Sequence, residues 1–395
     1  MSRTILVAGA GIGGLTAALA LAERGFRVVV FEQAQKLVET GAGIQLPPNA
    51  TRILIGLGLA EALRPSIVAP EAISVRSARS GEEIVRIPLG QEADFRYGAP
   101  YWVIHRADLQ AALLGAAREH PDIILNLGAR VEDFATHEHG TTAQVIQAGE
   151  RSEQRGIAMV GADGLWSTLR RRLGHASPPR FRERTAWRTT LPASSLGDSF
   201  RAPIVHLWLG RDAHLVHYPI RGGTTVNVVA IVQDRWQSDN WSAPGERDEL
   251  LRRFNSTDWH PTARSLLAKP ESWLKWALHD RPPDRRWGTG TFTLLGDAAH
   301  PMVPFLAQGA STAIEDAATL ALYLGGAGER IAEALRRYEG VRRVRTRRVQ
   351  RAALRTGELY HKDGPAAFMR DMAMKVLGGE RLRARYDWLY DWRCE

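Results

Sequence analysis

The chain of 395 residues has almost no cysteine: Cys394, next to the last residue, is the sole thiol. A single thiol excludes an internal disulfide and a Cys-based zinc site, and it fits a reducing cytoplasm. Also missing is any uninterrupted apolar run of roughly 18 residues, the length a membrane helix needs. The apolar N-terminal stretch behind Arg3 has the outline of a signal peptide, but Gly9, Gly11, Gly13 and Gly14 break it at turn spacing. Neither export nor a membrane span is therefore expected, and the location expected is cytoplasmic. There is no Gly-x-Ser-x-Gly elbow, no His-x-x-x-His and no His-Glu-x-x-His. Ser167 and His300 thus stand without the partners a nucleophile or metal ligand requires, and no metal site is expected. The sequon Asn255-Ser256-Thr257 means nothing without export.

Hydrophobic residues make up 44% and charged residues 24%, a balance that excludes extended disorder and gives a chain of this length enough apolar surface for two domains. The net charge is +9, with the excess late in the chain at Arg336, Arg337, Arg342, Arg343, Arg345, Arg347, Arg348, Arg351 and Arg355. The plainest reading is the solvated face of a long helix whose Val341, Val344, Val349 and Leu354 dock elsewhere. Nucleic-acid binding, or attraction of an anionic substrate or pyridine nucleotide by the summed field, are the alternatives. Eleven of the twelve tryptophans lie after residue 160. Core packing explains them most simply, although a pocket for a planar substrate would draw on the same residues.

Along the chain, residues 4–9 read as a buried parallel strand, 12–24 as a helix and Arg27 to Glu32 as a second strand. Gly41 to Pro48 reads as a loop, and Asn49 opens a helix to about Gly56. Ile73 to Leu89 alternates around a Ser-Gly turn like a hairpin of a separate antiparallel layer. A helix is expected from Arg106 to about His120, with strands at Ile123 to Leu127 and Gly156 to Gly161. From about Phe181 to Trp287 short alternating strands dominate, at Ile204 to Leu209, His214 to Pro219 and Val226 to Val232. A buried strand at Thr291 to Leu295 then resumes the first pattern, and helices fill the remainder.

Gly9-x-Gly11-x-x-Gly14 stands between the first strand and helix, where glycines permit a tight turn and close approach of backbone to a pyrophosphate. The helix N-terminus offers unpaired N–H groups to the phosphates. Glu32, with Gln33 beside it, ends the second strand, where a carboxylate accepts hydrogen bonds from ribose hydroxyls and disfavours a 2′-phosphate. This unit alone does not distinguish FAD from NAD, and no second fingerprint of its kind occurs.

Two later segments carry a resemblance to a known family. Gly161-Ala162-Asp163-Gly164-Leu165-Trp166-Ser167-Thr168-Leu169-Arg170 resembles the Asp-Gly motif of group A flavoprotein aromatic monooxygenases. Leu294-Leu295-Gly296-Asp297-Ala298-Ala299-His300-Pro301 is similar to their Gly-Asp motif, in which the Asp contacts the ribitol and pyrophosphate region of FAD. The likeness spans nearly the whole chain and is nearest to the salicylate hydroxylase and 6-hydroxynicotinate 3-monooxygenase branch of the p-hydroxybenzoate hydroxylase fold. It implies that Arg106, in His105-Arg106-Ala107-Asp108-Leu109, binds FAD by charge-assisted hydrogen bonds, and that Val131 packs the adenine. Pro304-Phe305-Leu306-Ala307-Gln308-Gly309-Ala310 resembles the loop beside the flavin pyrimidine, which places Pro304, Gly309 and Ala310 at the cofactor; many members have Gly where Ala307 stands. Gly43-Ile44-Gln45-Leu46-Pro47-Pro48-Asn49 resembles a loop near the isoalloxazine, with Gln45 where the hydroxynicotinate enzyme has a His. His214 and Tyr218 keep the spacing of the catalytic His and Tyr of that relative. Four residues apart on a strand they share a face, and His217 takes the other. The plain alternative is that all three are structural.

The fold expected is α/β: a Rossmann-type FAD domain (1–72, 100–178 and 288–335) interleaved with an antiparallel-sheet substrate domain (73–99 and 179–287), then a helical segment (336–395). The resemblance implies tight noncovalent FAD, NADH or NADPH as transient co-substrate, and O2. It also implies hydroxylation of a phenolic or hydroxypyridine carboxylate through a C4a-hydroperoxyflavin, with or without decarboxylation, in a monomer or homodimer. The competing classes are a flavin oxidase or dehydrogenase without oxygen transfer, and a flavin-containing nucleic-acid binder using the arginine-rich helix.

Overall fold

The computed structural model describes residues 3–37, 42–174, 177–236, 238, 240–254 and 257–394. Asn255 and Ser256 of the sequon lie outside the described residues. The apolar strand Thr4–Ala8 is buried almost throughout and pairs in parallel with Arg27–Glu32 on one side and Ala158–Gly161 on the other. Ile123–Leu127 extends this sheet past Arg27–Glu32, and Phe292–Leu294 extends it past Ala158–Gly161, both in parallel. The short strand Gly288–Thr289 closes the edge antiparallel. Strands buried on both faces read as the continuous apolar runs that a parallel sheet requires. Helix Ile12–Ala22, rich in alanine and leucine, lies against helix Gly309–Gly325. Their approach is close enough that a Cβ on Gly13 would lie 3.1 Å from the Cβ of Ala313.

The second large sheet is mostly antiparallel. Its order is Ser242–Gly245, Trp273–Asp280, Arg180–Pro192, Thr225–Gln233, Ala213–Ile220, Ile204–Gly210, Ala72–Ser77 and Glu83–Pro88. The hairpin Ala72–Pro88 thus joins strands more than a hundred residues away, through a parallel pairing of Ala72–Ser77 with Ile204–Gly210. The expected α/β architecture, with a parallel nucleotide-type sheet and a separate antiparallel sheet, is present.

Two sequence expectations are corrected, and one further sheet is found that the sequence pattern did not show. Gly43–Leu46 is a strand, not a loop, paired antiparallel with Trp102–His105. Four residues between glycines and prolines show too little alternation to read, and the partner strand supplies the hydrogen bonds. Residues 129–156 form a three-stranded antiparallel sheet, Ala129–His137, Gly140–Gln147 and Glu150–Gly156. The last of these, Glu-Arg-Ser-Glu-Gln-Arg-Gly, is exposed on both faces and carries no apolar signal, so only the adjoining strand to Gly161 was visible.

The second correction concerns the helix Ile331–Tyr360. Of the four apolar residues expected to dock, Val349 is fully buried and Leu354 packs partly, whereas Val341 and Val344 face solvent and Arg342 is fully buried. Its guanidinium donates to Glu315 Oε2 at 2.8 Å and Asp316 Oδ1 at 2.6 Å, and Arg345 holds Glu315 through two contacts of 2.6 Å. Trp392 lies under both guanidinia, at 5.0 and 5.1 Å, and Trp388 under Arg348 at 3.9 Å. Several arginines therefore form the docked face, sandwiched between two buried carboxylates of Gly309–Gly325 and the C-terminal tryptophans. Among the described residues no helix is long and apolar enough to cross a membrane.

Candidate active site

The glycine turn is built as its spacing requires. Gly9 sits at φ +107°, and a Cβ there would lie 2.4 Å from the carbonyl oxygen of Ala162. A Cβ on Gly14 would lie 1.9 Å from the Gly9 oxygen. Gly11, by contrast, faces open space at the start of Ile12–Ala22, whose first turn has neither a side-chain cap nor an acidic residue. Its N–H groups are left for an external anion. The carboxylate of Glu32 accepts from the Ala10 N–H at 2.9 Å and the Ala34 N–H at 2.8 Å, which fixes it beside the turn with Gln33 next to it.

One cavity, at the junction of the two sheets, is lined by nine of the residues singled out from the sequence: Gly11, Gln45, Arg106, His214, Tyr218, Asp297, Pro304, Gly309 and Ala310. Gly9, Gly14, Glu32, Gln33, Val131 and Asp163 do not line it. Val131 is buried in the three-stranded sheet. Asp163 caps the helix Thr168–Arg172, its Oδ2 accepting from Thr168 N–H at 2.8 Å and Leu169 N–H at 3.1 Å, while its buried Oδ1 makes no hydrogen bond among the described residues and its neighbour Gly164 faces the cavity. Burial raises the Asp163 carboxyl above the usual range, against the pull of these hydrogen bonds.

Asp297 follows Gly296, which takes φ +61° at the end of the strand Phe292–Leu294. Its side chain is accessible, through the cavity it lines, yet enclosed deeply enough that burial raises its carboxyl despite His300 and Arg106 nearby. Beyond it the loop Pro304–Leu306 turns through Ala307, at φ +52°, into the helix Gly309–Gly325, whose N-terminus also has no side-chain cap. Two uncapped helix ends and a glycine cradle thus face one cavity, an arrangement suited to a dinucleotide with a phosphate-bearing middle and a polar ring. Gln45 is steadied by the Tyr101 hydroxyl, which donates to its Oε1 at 2.6 Å. Gly43 must lack a side chain because a Cβ would meet Tyr218 and Asn227 at 2.8 Å; its N–H donates to Asn227 Oδ1 at 2.7 Å, which ties this strand to the antiparallel sheet.

The strand Ala213–Ile220 presents His214, Val216 and Tyr218 to the cavity. His217 faces the other way: its Nε2 accepts from Trp208 Nε1 at 3.1 Å and its ring stacks on His206 at 4.5 Å. The tryptophans Trp187, Trp208, Trp259 and Trp273 pack on that far side and none lines the cavity. Burial, followed by the charge of Arg184, lowers His214 to about 3, so its imidazole is neutral at pH 7. Burial raises the Tyr218 phenol, opposed by Arg188.

Arg188 escaped the sequence reading. It lines the same cavity from the strand Arg180–Pro192, lies over the Trp276 ring at 5.3 Å, and has no hydrogen-bond or ion-pair partner among the described residues. Burial, then repulsion by Arg106, lowers it to about 10, and it remains a cation at pH 7. The available signal was its register: it shares a strand face with Ala186, two residues earlier. His300, expected to lack metal or nucleophile partners, bonds Asp316 Oδ2 through Nε2 at 2.5 Å. Ser167 accepts from the Arg170 N–H as a helix cap. Among the described residues no group of three His, Cys, Asp or Glu is placed to hold a metal.

Comparison with known proteins agrees with this geometry. The family described as FAD binding domain matches residues 2–353. The chain is 38% identical over 391 residues to 3-hydroxybenzoate 6-hydroxylase 1 of Aquipseudomonas alcaligenes, covering 99% of this chain and 98% of that one. It is 41% identical over 388 residues to 3-amino-4-hydroxybenzoate 2-monooxygenase PtnB3 of Streptomyces platensis, covering 98% and 95%. Among solved structures, a salicylate hydroxylase substrate complex superposes with a TM-score of 0.83 at 28% identity, covering 99% and 96%. The chain therefore belongs to the FAD-binding family of aromatic hydroxylases and is an FAD-dependent aromatic monooxygenase.

Proposed function

We propose that the substrate is an anionic hydroxyaromatic acid, a hydroxybenzoate or hydroxypyridine carboxylate, hydroxylated in the part of the cavity lined by Arg188, His214 and Tyr218. The observation that carries this reading is Arg188: a half-buried cation lining the cavity with no protein counter-charge among the described residues, in the same chamber as a neutral imidazole and a phenol. Such a charge, partly withdrawn from water and facing the cavity, is best satisfied by an anion that enters with the ligand. The names of the two curated relatives support the same class, since both act on hydroxybenzoates.

In this reading Gly9, Gly11, Gly14 and the uncapped end of Ile12–Ala22 hold the FAD pyrophosphate, Glu32 and Gln33 the adenosine ribose, and Val131 the adenine. Arg106, Asp163 and Asp297 hold the central part, and Gln45, Pro304, Gly309 and Ala310 the ring. FAD supplies the redox chemistry, reduced by NADH or NADPH and reoxidised by O2. The chain supplies position and charge. Arg188 binds the substrate carboxylate, His214 takes the proton of the ring hydroxyl so that the electron pair stays on oxygen, and Tyr218 orients that oxygen. Ile44, Val216, Val229, Ile231, Leu295 and Met302 wall the chamber with apolar surface and exclude water. The division into a discontinuous cofactor region and a substrate region, 73–99 with 179–287, is supported by strand membership in the large antiparallel sheet.

Arg188→Ala tests it. The expected result is a rise in KM for 3-hydroxybenzoate, 3-amino-4-hydroxybenzoate or 6-hydroxynicotinate of about ten- to a hundredfold, the worth of one charge-assisted contact, with FAD content unchanged. Phenols lacking the carboxyl should be unaffected. Equal effects on acids and plain phenols would contradict the proposal.

A further inference from the structure

Behind His214 lies a second imidazole. His214 Nδ1 is 2.7 Å from His361 Nε2, with ring centroids 4.9 Å apart, and both side chains are buried. His361 stands at the C-terminal end of the long helix Ile331–Tyr360, so the chamber strand and the C-terminal helices meet at this bond. Phe305 packs against both rings and Tyr360 meets His214 edge-on. The charged groups acting on the pair are cations: Arg184 of the strand Arg180–Pro192 on both rings, and Arg370 of the helix Gly364–Ala384 on His361. Burial first, then for His361 its neighbour His214, then these cations keep both rings neutral at pH 7, each with one ring hydrogen. A contact of 2.7 Å between two ring nitrogens needs a hydrogen on one of them and a lone pair on the other.

We propose that His361 is the positioning residue for His214: it accepts the hydrogen on His214 Nδ1 and so leaves His214 Nε2 as the bare lone pair available to a ligand in the chamber. This rests on the reading of His214 as proton acceptor. The reverse arrangement, with His361 Nε2–H donating, would put the hydrogen of His214 on Nε2 and make that nitrogen a donor, unable to take a proton. With His361 accepting, the substrate O–H bond breaks, an Nε2–H bond forms on His214, and the electron pair remains on the phenolate oxygen. His214 then carries both hydrogens and is held by the lone pair of His361 Nε2. A neutral imidazole thus takes the part that a carboxylate takes in a Ser-His-Asp triad. Because it brings no negative charge and Arg184 and Arg370 stand nearby, the proton is held weakly and is readily returned once the product forms.

The test compares wild type with His361→Phe, His361→Gln and His214→Ala, using whichever of 3-hydroxybenzoate, 3-amino-4-hydroxybenzoate and 6-hydroxynicotinate is turned over best. The readouts are kcat and KM against pH, and the absorbance of the bound probe as its hydroxyl ionises. His361→Phe is expected to lower kcat at least about tenfold with KM within about threefold, and to move ionisation of the bound probe to higher pH. His361→Gln, whose amide oxygen accepts from Nδ1–H, is expected to recover most of the loss. Wild-type kcat and pH profile in His361→Phe, with His214→Ala impaired, would reduce His361 to packing and leave the base reading standing. Equal loss in the Phe and Gln variants, with or without loss of FAD, would overturn the proposal, because the lone pair would then make no difference. Unaltered turnover in His214→Ala would remove the base reading itself, and this proposal with it.

Discussion

Ala307 holds φ +52° between Phe305 and the helix Gly309–Gly325, a left-handed conformation that costs an alanine about 1–2 kcal/mol. Glycine adopts it freely, though it gains freedom in the unfolded chain. Ala307→Gly is accordingly expected to raise the Tm of the FAD-loaded protein slightly, and a lower Tm would show that the alanine methyl packs usefully. At this scale the sequence was legible where context fixed a residue's task. Gly9, Gly14 and Asp297 stand in motifs whose strand and turn surroundings leave little choice, and the structure gives them positive φ, close approach or a place on the cavity. For Arg188 register gave only its strand face, and His361 was not legible. An arginine in an alternating strand ordinarily marks a solvent face, and a histidine at a helix end looks like a cap, so only the three-dimensional chamber reveals their work.

The helix Ile331–Tyr360 shows how an element can mislead. Its arginines predicted a solvated face, and Arg337, Arg351 and Arg355 are exposed, but Arg342 and Arg345 dock beside Val349, against Glu315, Asp316 and Trp392. Hydropathy cannot anticipate this, because the carboxylates that neutralise the helix lie on another helix, Gly309–Gly325. Burial alone would raise Asp316, yet His300 and Arg342 outweigh it and hold its carboxyl below the usual range. Arg342→Met leaves two buried carboxylates short of a counter-charge and should destabilise the protein by about 3–5 kcal/mol in urea unfolding. A loss under about 1 kcal/mol would mean that Arg345 and His300 suffice.

Across the whole molecule, burial lowers four histidines: His214 and His361, where the antiparallel sheet meets the C-terminal helices, and His206 and His217 on the other face of that sheet. Burial is the first cause at each, lowering His206 to about 4, His214 to about 3, His361 to about 2 and His217 well below 6.5. The unfolded chain takes up protons near pH 6.5 that the folded chain refuses. Stability is therefore full above that pH and lost as pH falls below it toward the folded values. The raised carboxyls of Asp163, Asp297 and Glu339 act with the opposite sign, since their folded forms hold protons more tightly. A steady fall of Tm between about pH 6.5 and 5 is expected, and a flat or rising Tm would contradict it. The overall plan was readable because the parallel strands are continuous apolar runs and the antiparallel strands alternate. The exposed strand Glu150–Gly156 and the short strand Gly43–Leu46 lacked both signals.

The central claim is that this chamber holds an anionic hydroxyaromatic acid for oxygen transfer. The most direct measurement supplies the FAD-loaded protein with NAD(P)H, isotopically labelled O2 and the three acids in turn, and weighs the products. One labelled oxygen atom in a hydroxylated product, formed in step with NAD(P)H oxidation, is the result expected. NAD(P)H oxidation that yields hydrogen peroxide and no hydroxylated acid would contradict it.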